Sequence, residues 1–392
     1  MRIGLVLPAV PAYSETFFQN KIKFLSATPG YEVIVFADRY TKGSSFDLCR
    51  VVYAVQFSSY PVLALLQRTV WLVITAIRFP LKVFRLWQRN RKSGFNSKKN
   101  LASILTSVHI FSAPVDWLHF GFGTMAIGRE HVAKVISAKM AVSFRGFDHY
   151  IYPLKYSGCY ALLFSVADHF HVLSSGMKDS LIGQHVERDR ISVIHPAIDT
   201  RGFISINRDT RIVRKRVQFT TVARLHWIKG LEYILEALAL LKNKGVAFHY
   251  TVIGEGEERE RLIFAVHQLG LKQQVTFEGK LPHEAIVKAL GEADIYLQYS
   301  IQEGFCNAVL EAQAMGLLCV VSDAEGLSEN VLHGQTGWVV PKRKPKLLAD
   351  KLLEILTDQR TQVDVFRNNA IKRVRTSFNL ELQKKQFLKF YE

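Results

Sequence analysis

Phe219 to Ile253 reads FTTVARLHWIKGLEYILEALALLKNKGVAFHYTVI, and this stretch decides the fold. The apolar run Phe219–Ala223 is a strand. From Lys229 to Lys244 the residues Leu231, Ile234, Leu235 and Leu238 share one helical face, and Gly245 stops the helix. Phe248–Ile253 is the next strand. Strand, helix and strand in so short a span make a βαβ unit, whose two strands lie parallel in one sheet.

The rhythm continues outward. A helix ends near Gly270, strands follow at Val275–Glu278 and Ile295–Tyr299, and a helix at His283–Glu292 joins them. Beyond them come a strand at Leu318–Ser322, a short helix near Ser328 and a helix at Pro345–Thr357. Towards the N-terminus the same alternation predicts strands at Arg2–Leu7, Tyr31–Phe36, Trp117–Phe120, Ala141–Phe144, Phe170–Leu173 and Ile191–Ile194. Ser14, with Glu15 behind it, caps the first helix. The chain crosses between two domains near Pro196–Thr200, and a last helix (about Leu380–Tyr391) returns to the first domain. At 392 residues the chain fits two domains of roughly 150–200 residues each. The fold class is therefore α/β, with parallel sheets in two Rossmann-like domains. These are residues 1–198 plus about 375–392, and residues 199–374.

Composition narrows the function. Apolar residues at 48% and charged residues at 22% describe a globular protein and exclude general disorder. Cys49, Cys159, Cys306 and Cys319 form no CxxC pair and no metal spacing, as expected of free thiols in a reducing cytoplasm. Met1–Val10 reads as a buried first strand, not a signal peptide. The net charge is +17 with pI ≈ 9.7, and Arg50–Val115 holds ten Lys or Arg and no Asp or Glu. Such an excess calls for anionic partners.

Tyr60–Lys92 concentrates that excess. Its longest uncharged stretch, Thr69–Ile77, is nine residues, too few to span a bilayer. Arg78, Lys82, Arg85, Arg89 and Lys92 recur on one helical face, with Trp71, Ile77, Leu81 and Phe84 elsewhere around it. Pro80 kinks or splits this helix. Two readings compete: a helix lying in an anionic membrane interface, and one packed on the sheet with its basic side solvated. The density of both apolar and basic residues favours the membrane.

Chemistry concentrates in Glu303-Gly-Phe-Cys-Asn-Ala-Val-Leu-Glu311. Two carboxylates bracket a loop that opens a helix. Gly304 lets backbone approach a ligand, and Asn307 is the expected N-cap. The N–H groups at such a helix start attract phosphate, and the carboxylates hold hydroxyls on either side of it. That describes a pocket for a nucleotide diphosphate-sugar. Arg224 follows the strand Phe219–Ala223 and Lys229 opens the next helix, so both fall beyond strand carboxyl ends, where open α/β sheets bind ligands. Alone, such a pair is ordinary surface charge. Beside Glu303 and Glu311 it becomes a clamp for a leaving diphosphate.

The run Arg224…Lys229-Gly230, Val252-Ile-Gly-Glu-Gly256, Val275-Thr-Phe-Glu-Gly279, Ala293-Asp294, Ser300…Glu303-Gly-Phe…Glu311-Ala…Met315-Gly316 and Glu329…Gly334…Gly337 resembles the retaining GT-B glycosyltransferases of family four. It covers nearly all of residues 218–341. Through Ser14-Glu-Thr-Phe17, His119-Phe-Gly121 and Phe144-Arg-Gly-Phe-Asp148, the first half resembles the members that build bacterial exopolysaccharide and lipopolysaccharide, the colanic-acid type. The resemblance implies two sheets facing each other across a cleft. It gives Arg224 and Lys229 the donor diphosphate, Glu311 the ribose hydroxyls and Glu303 the hydroxyls of the transferred sugar. The backbone of Gly304, Phe305, Cys306 and Asn307 approaches sugar and phosphate, and that of Lys280 and Leu281 bears on the base. Transfer retains anomeric configuration by front-face attack, the leaving phosphate taking the acceptor's proton; covalent attack by Glu303 is the minority route.

The chain departs from the pattern at Arg145, where many relatives have His. Arg145 is expected to add charge at the phosphate or to bind an acidic sugar or acceptor, without shuttling protons. Asp148 positions Arg145, contacts the acceptor or makes a structural salt bridge. Glu15 and His119 are acceptor-side candidates, His119 equally a satisfied core histidine. Gly254-Glu-Gly256 lacks a dinucleotide fingerprint and reads as a turn. No Asp-x-Asp occurs, so metal independence and no cofactor are expected. The expected partners are a UDP- or GDP-sugar, a glycan or lipid-linked acceptor and an anionic membrane surface through about residues 60–92, with no nucleic acid. The expected location is the inner face of the cell membrane. A soluble acceptor, or epimerisation of a nucleotide-sugar on the same fold, are the alternatives.

Overall fold

The computed structural model describes residues 1–11, 16–40, 46–203, 216–357 and 363–392. Ser14 and Glu15, expected as a helix cap and an acceptor contact, lie outside the described residues. By its contacts the chain divides into two compact units, residues 1–173, 177–194 and 384–392, and residues 174–176 and 195–383. The sequence reading set the crossings at 198/199 and 374/375.

The first unit is built on seven parallel strands: β1 (Arg2–Leu7), β2 (Glu32–Ala37), β3 (Arg50–Tyr53), β4 (Trp117–Phe120), β5 (Lys139–Ser143), β6 (His169–Val172) and β7 (Ile191–Val193). They lie in the order β3-β2-β1-β4-β5-β6-β7, so β1 has neighbours on both sides, with Ile3 opposite both Val33 and Trp117. Five of the six residues of β1 are buried, as a strand covered on both faces requires. The edge strand β3 was not anticipated: its four residues are no more than half-buried and carry no apolar alternation. The end of the helix Leu380–Tyr391 belongs to this unit. Phe387 and Phe390 enter its core, and Trp117 Nε1 donates to the Tyr391 carbonyl at 2.8 Å.

The second unit is built on β8 (Val217–Val222), β9 (Phe248–Ile253), β10 (Val275–Gly279), β11 (Ile295–Gln298), β12 (Leu318–Ser322) and β13 (Trp338–Val340), all parallel, in the order β10-β9-β8-β11-β12-β13. Its core joins Phe219, Leu235, Leu238, Phe248 and Ile295 to Leu348 and Leu352. The helix after β8 runs Leu231–Asn243, two residues shorter at its start than expected. Gly230 takes the left-handed conformation (φ 58°) behind a single 3₁₀ turn, Trp227–Lys229, so Lys229 sits on a loop and does not open the helix. A Cβ at Gly230 would fall 2.4 Å from the Tyr299 carbonyl oxygen. β13 and the helix Val363–Ser377 were missed. The strand is three residues long, and Arg367, Arg373 and Asn369 blur the helical period.

The basic tract forms two helices of the first unit, α2 (Pro61–Arg78) and α3 (Pro80–Lys92), split at Phe79 because Pro80 cannot continue the ladder. A third helix, α4 (Ser97–Phe111), carries both. Asn90 anchors α3, its amide donating to Asn100 Oδ1 at 3.0 Å and Ser103 Oγ at 3.1 Å. The apolar side of α2 is not covered: Val62 is 75% exposed, Leu65 65% and Ile77 76%. With 18 residues and a mean hydropathy of 1.3, α2 is long and apolar enough by those measures alone to cross a membrane. The nine-residue uncharged stretch had argued against this, because the count stopped at Arg68. The basic face is also smaller than expected. Lys82 turns inward, donating to the Phe111 carbonyl at 2.7 Å.

Candidate active site

In the second sheet the chain runs outward from β8 through β9 to β10, then returns to place β11 on the other side of β8. The loops after β8 and β11 therefore diverge at a switch point, the crevice where open α/β sheets bind ligands. The first loop carries Arg224 and Lys229, the second Glu303. Ile301 N–H donates to the Ile228 carbonyl at 2.8 Å and pins the loops together. As a result Lys229 Nζ bonds Glu303 Oε2, and Ser300 Oγ donates to the same oxygen at 3.2 Å. Burial opposes the charge on Lys229, yet the Glu303 carboxylate holds its pKa above the ordinary lysine value. Arg224 is exposed next to this pair. Gly254 and Gly256 turn the chain beside its loop. Cβ atoms there would lie 2.0 Å from the Ala223 carbonyl and 2.1 Å from that of Leu225, so the pair is a packing device.

The Glu303 loop is held from behind. Gly326 N–H donates to the Glu303 carbonyl at 2.9 Å, and a Cβ on Gly326 would stand 1.9 Å from the Gly304 oxygen. Glu325 accepts the Glu303 N–H at 3.3 Å and pairs with Lys342 at 3.0 Å. The helix Asn307–Ala314 starts one residue earlier than expected: Cys306 is the N-cap, and Asn307 is the first helical residue. No side chain caps the helix; Asn330 instead fixes the N-cap residue, its Oδ1 accepting from Cys306 N at 2.9 Å and its Nδ2 donating to Cys306 O at 3.1 Å. Phe305 is buried against His195 and Phe378, and Cys306 is buried with its thiol pushed up to about 12 by burial and the Glu303 charge. Only their backbone is left to meet a ligand. Glu325, Gly326, Asn330 and Lys342 escaped the sequence reading, because a side chain supporting a loop from 24 residues away leaves no spacing signal.

Glu311 lies a turn further into that helix. Its carboxyl is largely buried and has no hydrogen-bond partner among the described residues; burial pushes its pKa up to about 7. A carboxyl so placed is available to a ligand's hydroxyls. Lys280 is exposed and Leu281 half-buried, on the loop after β10.

The remaining candidates lie in the first unit. Arg145 lays its guanidinium over the rings of Phe17 (4.2 Å) and Phe18 (4.6 Å). Asp148 holds the backbone around it, Oδ2 accepting from Arg145 N at 3.1 Å and Gly123 N at 3.0 Å. Burial nevertheless pushes the Asp148 carboxyl up to about 6. His119 requires correction. It is fully buried within the sheet, its Nδ1 bonded to Tyr391 Oη (2.6 Å) and Lys21 Nζ (3.2 Å) and its Nε2 to Ser143 Oγ (2.8 Å). With both nitrogens engaged in the core, it cannot reach an acceptor.

This architecture is that of the GT-B glycosyltransferases. The structure of Anabaena Alr3699/HepE in complex with UDP and glucose has a TM-score of 0.69 at 16% identity, over 99% of this chain and 98% of that one. Residues 204–373 match the family model for glycosyl transferases group 1. Among the chain's relatives is the amylovoran biosynthesis glycosyltransferase AmsK of Erwinia amylovora, 28% identical over 100% of this chain and 99% of that protein. Another is the putative colanic acid biosynthesis glycosyltransferase WcaL of Escherichia coli K12, 26% identical over 97% of each.

Proposed function

We propose that this glycosyltransferase moves a sugar from a nucleotide diphosphate-sugar to a lipid-linked glycan acceptor during polysaccharide synthesis, with retention of configuration. The observation that carries the donor half is the Lys229–Glu303 pair at the switch point of the second sheet. Before a donor binds, the two charges satisfy each other. A donor exchanges that partnership: Lys229 and Arg224 turn to the diphosphate oxygens, and Glu303 accepts from the sugar hydroxyls. As the sugar–phosphate bond stretches, charge grows on the diphosphate where the two cations already stand. Glu311, unpartnered among the described residues, takes the ribose hydroxyls. Because the cations supply the countercharge, no metal is required. The UDP bound by HepE favours a uridine donor.

The uncovered side of α2 supports the membrane-bound acceptor. The relatives' polysaccharide roles agree with it. Incubation with UDP- and GDP-sugars, with and without EDTA, and analysis of the product anomer by NMR test the proposal. An inverted anomer would end the retaining reading, and loss of turnover in EDTA the metal-free one.

A further inference from the structure

The first sheet has a switch point of its own, between β1 and β4, because β2 and β3 lie to one side of β1 and β4 to β7 to the other. A cavity of about 300 Å³ opens beside it. Pro8 follows β1, Asp38 and Arg39 follow β2, Thr106 comes from α4, and Thr124 and Arg129 come from the segment after β4. The β1 and β2 ends are fixed to each other, Asp38 N–H donating to the Leu7 carbonyl at 3.0 Å and Arg39 N–H to that of Pro8 at 2.9 Å. We propose that this cavity binds the phosphate ester of the acceptor.

Arg129 carries the argument. It is only 7% exposed, so its guanidinium must be served from within. One terminal nitrogen bonds both oxygens of Asp38 at 2.9 Å, while the other, Nη1, has no hydrogen-bond partner among the described residues. A buried donor left unused is costly, and because Nη1 is itself sealed from solvent, an anion in the cavity would relieve it through a small shift of the guanidinium. Arg39 adds an exposed guanidinium on the same wall. Against the single carboxylate of Asp38, two arginines leave the cavity one positive charge. His109, 3.6 Å from Asp38, does not alter that sum, since burial and then Arg129 hold its pKa at about 3. The fork of an arginine suits phosphate oxygens. The volume is at the small end of ligand pockets, roughly 300–1,000 Å³. α4, which supplies Thr106, also carries α2 with its bare apolar side. The unit thus offers an anion site and a hydrocarbon surface on helices that touch each other, the two parts a phospholipid-like acceptor needs. The anion site stands on the cavity itself; that its ligand is the acceptor, and a lipid, rests on the proposed function.

Titration of the full chain with inorganic pyrophosphate tests the cavity, in an Arg224→Gln/Lys229→Gln background that disables the donor clamp. One bound equivalent should persist there, and adding Arg39→Gln should weaken it roughly tenfold, the worth of one charge-assisted hydrogen bond. Loss of all binding in the background, or an unchanged Kd with Arg39→Gln, overturns the proposal. Phosphatidylcholine vesicles with and without a polyprenyl phosphate then identify the source. Binding that needs the polyprenyl phosphate and falls with Arg39→Gln assigns it to lipid, whereas pyrophosphate binding alone assigns it to a soluble phosphate ester. The titration uses neither donor nor turnover, so absent glycosyl transfer would count against the proposed function and leave the cavity standing.

Discussion

Lys229 and Glu303 lie 74 positions apart in the chain and pair directly in the second unit's crevice. Their types and loops were legible in sequence, as was the expectation that they serve one ligand. Their direct bond was not, since it depends on Ile301 fastening one loop to the other. Lys229→Gln and Glu303→Gln should each lower kcat/KM for sugar transfer by about 10²-fold or more, with the protein still folded by circular dichroism although Tm falls as the remaining charge loses its partner. Near-normal rates in both would refute the assignment. Glu311 adds a pH signature. Its folded pKa, about 7, lies above the ordinary 4.5, so the native chain takes up a proton between those values. The stability this contributes is full below the window and is lost as pH rises through it, by at most about 3 kcal/mol. Urea unfolding at about pH 5 and pH 8 should show that decline, and Glu311→Gln should remove it. Donor binding should run the other way and tighten as Glu311 ionises.

At the level of elements, the glycines separate into two kinds. Gly326 has ordinary dihedrals and is required because the Glu303 loop passes over it, with the Gly304 oxygen 1.9 Å from where a Cβ would stand. Gly334 has φ 71° and open space around it. Gly326→Ala should cost at least about 2 kcal/mol and depress activity by shifting the loop. Gly334→Ala should cost only about 1 kcal/mol and leave turnover intact. Guanidinium melts with parallel assays would tell them apart. The long, strongly periodic elements could be read from sequence, down to the end residues of the helix His283–Glu292. The start at Asn307 could not, because the backbone of Cys306 before it is held by Asn330 from another element.

For the whole molecule, the charge of +17 and the bare side of α2 bear on where the protein works. Flotation with phosphatidylglycerol vesicles should recover the protein, phosphatidylcholine vesicles much less, and salt should weaken the capture. Leu65→Gln with Ile77→Gln should reduce it roughly tenfold without lowering Tm, since neither residue is covered. Equal capture by both lipids would remove the electrostatic part of the idea. The sequence by itself determined the two parallel-sheet units, the places of most strands along the chain and which residues stand on the loops after β8 and β11. Those follow from periodicity, and from residue types that are local along the chain. Tertiary structure alone decided that His119 is sealed in the core, that Lys82 turns away from the basic face, and that Arg129 and Asp38 meet beside Arg39. Each of these depends on which strands become neighbours, and a pairing between distant segments leaves no periodic trace in either.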